Sequence, residues 1–290
     1  MANSTNFGRQ TKEKSRFFLN TTEIAGIQII NGSYNTNADH INYLGISNCR
    51  YAPRGNYKSN FSIDSLLISN DQFIGLTGAT GFNGYIISDK SFPTKDNFSF
   101  TSGYLSSYNL KCSIGQIPNI SVGIDVYGNA GKFHKIESTS SRVHGDFLSI
   151  PSVNSNLLLS IADPGSLNIS LDEFTTNRCL SYNLSINVKR LPIYPLGYSQ
   201  PLFVETIYPI EVNCSFQLEK SDYLASTLRD FPGNEKTQNL TISMNDLENG
   251  LPFTSYNFNE MKFMGESYSS TVDGNVGVNL NYKTYLQRPN

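Results

Sequence analysis

The chain has 290 residues, room for one large domain or two ordinary ones, with 38% hydrophobic and only 16% charged residues. Its formal net charge of −2 gives no electrostatic grip on a nucleic-acid backbone. Residues 1–16 are polar and charged, without the apolar core of a signal peptide, and no apolar run approaches the length of a membrane span. Asn, Ser, Thr, Gly and Tyr stand where Lys and Glu usually do, a mixture that favours strands and turns, because short polar side chains compete with helical backbone bonds. The cysteines, Cys49, Cys112, Cys179 and Cys214, form no CxxC pair, and Cys112 and Cys214 fall on the apolar phase of alternating runs. A reduced, cytosolic setting is expected, with the N-x-S/T sequons at Asn20, Asn60, Asn119, Asn168 and Asn239 a by-product of composition.

In chain order, a flexible polar arm over residues 1–20 precedes an alternating strand at Ile24–Tyr34, the text Ile41–Ser47 and a second strand at Tyr57–Ile68. Ser69–Leu76 reads as a short, weak helical segment and Tyr85–Ser88 as a short apolar strand. Tyr108, Leu110, Cys112 and Ile114 then alternate with polar residues, as do Ile120, Val122, Ile124 and Val126. Residues 128–170 are less regular, with turn signals at Asp163-Pro-Gly165 and a short apolar run at Leu157–Ile161 that reads as a connecting strand. Beyond them Leu180–Val188 alternates, followed by the text Ile193–Ser199 and a strand at Val204–Glu219. A helix is expected at Asp222–Phe231, capped by Ser221 or Asp222, with Leu224, Leu228 and Phe231 on one face and Pro232-Gly233 as its stop. A short strand at Leu240–Met244 and an alternating one over Val276–Tyr282 close the chain.

Alternate side chains of a strand point to opposite faces, so these runs suit antiparallel sheets with one face on a core and the other in water. The fold class is all-β with minor helix, a sandwich or barrel. The order of elements occurs twice. Ile41–Ser47 matches Ile193–Ser199 at an offset of 152, and Val122–Val126 matches Val276–Leu280 at an offset of 154. Two tandem antiparallel β-sandwich domains are expected, 21–150 with a connecting segment and 151–290.

No chemistry is legible. His40, His134 and His144 have no second ligand at metal spacing, Gly75–Gly81 lacks the Lys and following helix of a phosphate loop, and Asp172-Glu173 would point to opposite faces. Neither catalytic residue nor cofactor is expected. The 17 tyrosines and 18 phenylalanines read as core and cross-strand partners, since Trp, the usual sugar platform, is absent. Arg50, Arg54 and Lys58 cluster around Pro53 and Gly55, a solvated loop or, as the sharper alternative, a charged contact with a neighbouring subunit.

Ser102-Gly-Tyr-Leu-Ser-Ser-Tyr-Asn-Leu-Lys-Cys-Ser-Ile-Gly-Gln-Ile-Pro118 and the following Asn119–Val126 resemble the closing strands of tail tube proteins of tailed bacteriophages, and Ile24–Tyr34 resembles their first strand. The resemblance covers about residues 24–128; over 180–286 it is topological only, and Ser269–Gly274 lacks the proline of the family's turn. It implies a virion tail protein, assembled in the host cytoplasm, whose tube domains join neighbours in an inter-subunit β-barrel. Rings stack into a conduit for viral DNA ejection. With two domains per chain, three chains complete a pseudo-sixfold ring; a hexamer with an outward-facing half is the variant. Partners implied are further copies, tape measure, tail terminator and baseplate proteins, and DNA passing without specific binding; no membrane is involved. The rival readings are a baseplate hub or capsid decoration protein and, from another class, a carbohydrate-binding adhesin module. A β-sandwich hydrolase comes last.

Overall fold

In the computed structural model of the chain, the described residues are 16–20, 22–35, 38–41, 50–53, 58–68, 70–78, 81–87, 97–113, 115–133, 163, 166–172, 174–196, 198, 200–219, 237–269 and 277–288. Most of them form strands, with a 3-10 turn at Ile74–Leu76, and no α-helix occurs among them. That turn stands where a helical segment was expected. The Asp71 carboxylate accepts the amides of Phe73 and Ile74 at 2.9 and 3.3 Å, and Gly75 follows at once, which favours a tight turn over helix propagation. The helix expected at 222–231, the strand expected at 157–161 and the boundary near residue 150 lie outside the described residues.

The first half carries β1 (Arg16–Leu19), β2 (Thr22–Ile24), β3 (Ile27–Asn35), β4 (Ala38–Ile41), β5 (Arg50–Pro53), β6 (Lys58–Leu66), β7 (Phe82–Ile87), β8 (Asn97–Ser113), β9 (Asn119–Val126) and β10 (Ala130–Phe133). The second carries β11 (Asn168–Leu171), β12 (Phe174–Thr176), β13 (Cys179–Asn187), β14 (Arg190–Ile193), β15 (Phe203–Thr206), β16 (Ile210–Glu219), β17 (Thr237–Asn245), β18 (Pro252–Ser269) and β19 (Gly277–Leu286). Period-two burial is strict in β6, β9 and β16, as the alternation of their residues requires. The strand expected over Val204–Glu219 is broken between Thr206 and Ile210, where Pro209 has no amide to give a ladder.

Pairings recur between the halves. β1–β2, β1–β7, β7–β8, β8–β9, β9–β6, β6–β3 and β4–β5 are matched in order by β11–β12, β11–β17, β17–β18, β18–β19, β19–β16, β16–β13 and β14–β15. All are antiparallel. Irregularities recur too. Register shifts fall at Ile27/Ile29, Phe82/Gly84 and Leu105/Ser107, and again at Cys179/Ser181, Gln238/Leu240 and Phe263/Gly265. Ser102 and Glu260 both sit at φ +54°. The Ser102 amide donates to Asn83 Oδ1 and the Glu260 amide to Asn239 Oδ1, each at 3.4 Å. The Asn83 amide donates to Asn20 Oδ1 and the Asn239 amide to Asp172 Oδ2, each at 2.9 Å. Following the ladders from the first bulge places Ile29 against Ser181, an offset of 152, but Ser121 against Asn279, an offset of 158. The structural counterpart of Val122 is therefore Leu280, and the sequence match of Val122 to Val276 is displaced by four residues.

β8 and β18 are long because each passes from one sheet into another. The first part of β8 pairs with β7 and β10, its second part with β9 and β13. β18 pairs with β17 over Pro252–Lys262 and with β19 over Lys262–Ser269. The result is one broad sheet in the order β3-β6-β9-β8-β13-β16-β19-β18, backed by the smaller layers β2-β1-β7-β8-β10 and β12-β11-β17-β18. One continuous apolar core lies between the layers. Phe61 of the broad sheet stacks on Phe100 of the backing layer with centroids 4.9 Å apart, and Tyr182 donates to the Met244 sulfur at 3.6 Å. Among the described residues the broad sheet is open and no closed barrel forms.

Gly26 makes the corner between β2 and β3. Its φ is +83°, a Cβ there would lie 2.3 Å from the Leu66 carbonyl oxygen, and the Leu66 amide donates to the Gly26 carbonyl at 2.9 Å. Gly26→Ala is therefore expected to cost roughly 2–4 kcal/mol from backbone strain and contact together. Chemical denaturation of the two proteins measures this; a loss under about 0.5 kcal/mol would mean the corner relaxes freely.

Candidate assembly surface

The joint between the halves is a strand pair. β13 runs antiparallel to the end of β8, from Ser181↔Ser113 to Asn187↔Ser107. On the core side it brings Tyr182, Leu184 and Ile186 beside Cys112, Leu110 and Tyr108, all buried. On the other face stand Asn183, Ser185, Asn109 and Lys111, continued on β16 by Asn213, Ser215 and Gln217. The broad sheet thus has one apolar face and one lined mainly by amides and hydroxyls.

Polar contacts across the joint hold the halves together. Tyr108 and Tyr256 hydroxyls, from β8 and β18, donate to Asp71 Oδ2 at 2.5 and 2.9 Å. Arg190, at the head of β14, reaches back into the first half. It donates to the Leu105 carbonyl at 3.1 Å and to those of Thr77 and Leu76 at 3.0 and 3.4 Å, and also bonds the Thr206 hydroxyl. Burial pulls its guanidinium below its ordinary value, a pull that nearby tyrosines and Asp125 oppose. Neither Asp71 nor Arg190 stood out in the sequence. Each is a single charge beside an ordinary strand or turn, and its partners lie far along the chain.

Of the cluster expected to touch a neighbour, Arg50 and Lys58 are described. Lys58 opens β6, with Nζ 2.9 Å from Asp125 Oδ2 on β9 and 5.7 Å from the centre of the Tyr127 ring, so it makes contacts within its own chain. Arg50 opens β5, opposite Ile41 of β4. Arg54 lies outside the described residues, as do His134, His144 and Cys49; His40 is in β4 opposite Tyr51.

Among the described residues no group of three His, Cys, Asp or Glu is placed to hold a metal ion. A cleft of about 510 Å³ at the end of the joint is lined in part by Cys112, Cys179, Arg178 and Glu219. Burial pushes the Cys112 thiol up to about 11 and the Cys179 thiol up to about 12, so both stay protonated at neutral pH and are poor nucleophiles. No described helix is long and apolar enough to cross a membrane, which says nothing of β-barrel insertion.

Among the described residues the sheet path ends at β3, which pairs with β6, and at the second part of β18, which pairs with β19. The hairpin of β14 and β15 exposes Leu191, Ile193, Leu196, Tyr198, Leu202 and Phe203, an apolar density unusual on a protein surface. No known family model matches the chain, and no curated protein is similar to it.

Proposed function

We propose that the chain is a structural virion protein, a tail tube subunit built of two copies of one domain, which forms rings that stack into a conduit for viral DNA. One observation carries this reading: the joint inside the chain uses two strands whose counterparts stand at the ends of the broad sheet. β13, the counterpart of β3, pairs with β8, the counterpart of β18. Repeating that step joins the β18 end of one copy to the β3 end of the next. Such a head-to-tail contact closes into a ring or runs on as a filament.

Eight strands of each chain lie in the broad sheet, so three chains would close twenty-four into a barrel with six related domains. Closure would remove the sheet edges, which are otherwise sites of uncontrolled pairing. The face rich in Asn, Ser and Gln would line the lumen, hydrated and without a basic stripe to hold DNA. The exposed apolar β14–β15 hairpin suits contact between stacked rings. The resemblance of residues 24–128 to phage tail tube domains points the same way.

Negative-stain electron microscopy of the purified protein at rising concentration, with mass measurement of single rings, tests the proposal. Rings of three chains, stacking into hollow tubes, are the expected result. Compact two-copy particles, or localisation on virions anywhere but along the tail, would instead favour a hub or decoration protein.

A further inference from the structure

The internal joint and the open edges are chemically unequal, although they occupy equivalent places. Carrying the β8–β13 register over to the open edges sets Asn31 of β3 against Ser269 of β18, Gly32 against Tyr268, Ser33 against Ser267, Tyr34 against Glu266 and Asn35 against Gly265. Glu266 is the counterpart of Tyr108, and Gly32 of Leu184. Leu184 and Tyr108 are almost fully buried in the internal joint, at 0% and 1% exposure. In the open joint the bulk shared by Leu184 and Leu110 falls to Tyr268 alone, and the place of Tyr108 is taken by a carboxylate.

Glu266 stands on the apolar face of its sheet. It lies directly opposite Leu280 on β19, as Tyr108 lies opposite Val122 on β9, and directly opposite residues of a ladder share a face. Leu280 is buried in the core, and the Glu266 charge helps to raise the proton affinity of the buried Tyr282 hydroxyl nearby, after burial itself and Cys214. The carboxylate accepts the Tyr268 hydroxyl at 2.9 Å and is exposed in the single chain. Pairing with another copy's β3 would set Tyr34 opposite it and take it out of water, and a buried carboxylate is costly unless fully hydrogen-bonded. An inward-facing charge on an edge strand is one of the ways proteins restrain edge-to-edge association.

We propose that Glu266 is a built-in restraint on self-assembly: it sits on the β18 edge that receives β3 of a second copy and opposes that pairing. The inference rests on the ring reading above and adds its control point. The second copy is the occupant because the internal joint already shows which strand this edge accepts and in which register.

The test uses the full chain. Sedimentation velocity at rising concentration compares the parent with Glu266→Gln and Glu266→Tyr, the latter restoring the residue of the internal joint; circular dichroism verifies that each is folded. A second measurement places cysteines at Ser33 and Ser267, oxidises mildly and looks for covalent chain-to-chain ladders above the parent's background. Assembly of both variants at about tenfold lower concentration or less, with ladders in the double-cysteine chain, is the expected result. Ladders together with unchanged assembly of the variants would overturn the restraint and leave the ring reading standing. Folded variants that remain monomeric, with no ladders, would overturn both.

Discussion

Leu184→Ala is expected to lower the unfolding free energy by about 3–4 kcal/mol, the range for a fully buried leucine whose surroundings cannot close the gap. Leu184 has 0% exposure and sits mid-joint, with Leu110 of the first half on one side and Cys214 of β16 on the other. Both neighbours are held by ladders that continue for several residues in each direction, so collapse onto the cavity would require the sheet itself to bend. Urea titration of parent and variant measures the loss. If the halves unfold as one unit, the midpoint falls without a change of slope. A loss below about 1 kcal/mol would show that the β8–β13 joint is not packed as a core, and it would remove the internal template on which the ring proposal depends. The same substitution makes the internal joint resemble the open one, where Gly32 stands in the equivalent place.

Alkaline pH should unfold the protein steeply. Burial pushes the Cys214 thiol up to about 12, beside the raised thiols of Cys112 and Cys179. Burial likewise holds the Tyr108, Tyr182, Tyr256 and Tyr282 hydroxyls above their ordinary value, assisted at Tyr108 and Tyr256 by the negative charge of Asp71. These groups ionise more readily in the unfolded chain, from the ordinary thiol value of 9.0 and phenol value of 10.0. Above those values the folded chain holds more protons than the unfolded one, so stability falls as pH rises; below them the contribution is fully present. The expected result is a urea midpoint that is flat to about pH 8.5 and falls sharply between about pH 9.5 and 11.5, with part of the phenolate absorbance held back until the chain unfolds. Phenolate absorbance that is complete before unfolding would mean that these hydroxyls are hydrated in the folded chain.

The joint also accounts for the limits of the sequence reading. Tyr108–Cys112, Leu184–Ile186 and Ile210–Leu218 announced themselves as strands because alternation is local and each residue's face follows from its neighbours. Phase errors arose where a bulge inserted a residue. Leu180 was placed on the buried phase, but the shift at Cys179/Ser181 leaves Cys179 buried and Leu180 half-buried. The offset of 154 failed against the structural 158 for a related reason: short Asn- and Ser-rich strands match one another at several even displacements, and only the ladder selects one. β8 was longer than expected and β18 was not foreseen, because opening parts such as Asn97–Gly103 serve a second sheet and mix small residues with aromatics. The charge density at Arg50, Arg54 and Lys58 was legible, but the partner of Lys58 was not: Asp125 lies on β9, a strand paired to its own and far along the chain.

Composition and alternation by themselves dictated an all-β chain, poor in charge, with sheets polar on one face and apolar on the other, because those properties depend on residue type and nearest neighbours. They could not show that β8 meets β13, that Asp71 gathers Tyr108 and Tyr256, or that Glu266 stands where Tyr108 stands in the other half. Those relations join residues up to 185 positions apart, and they exist only once the backbone ladders have closed and every side chain has been assigned to a face.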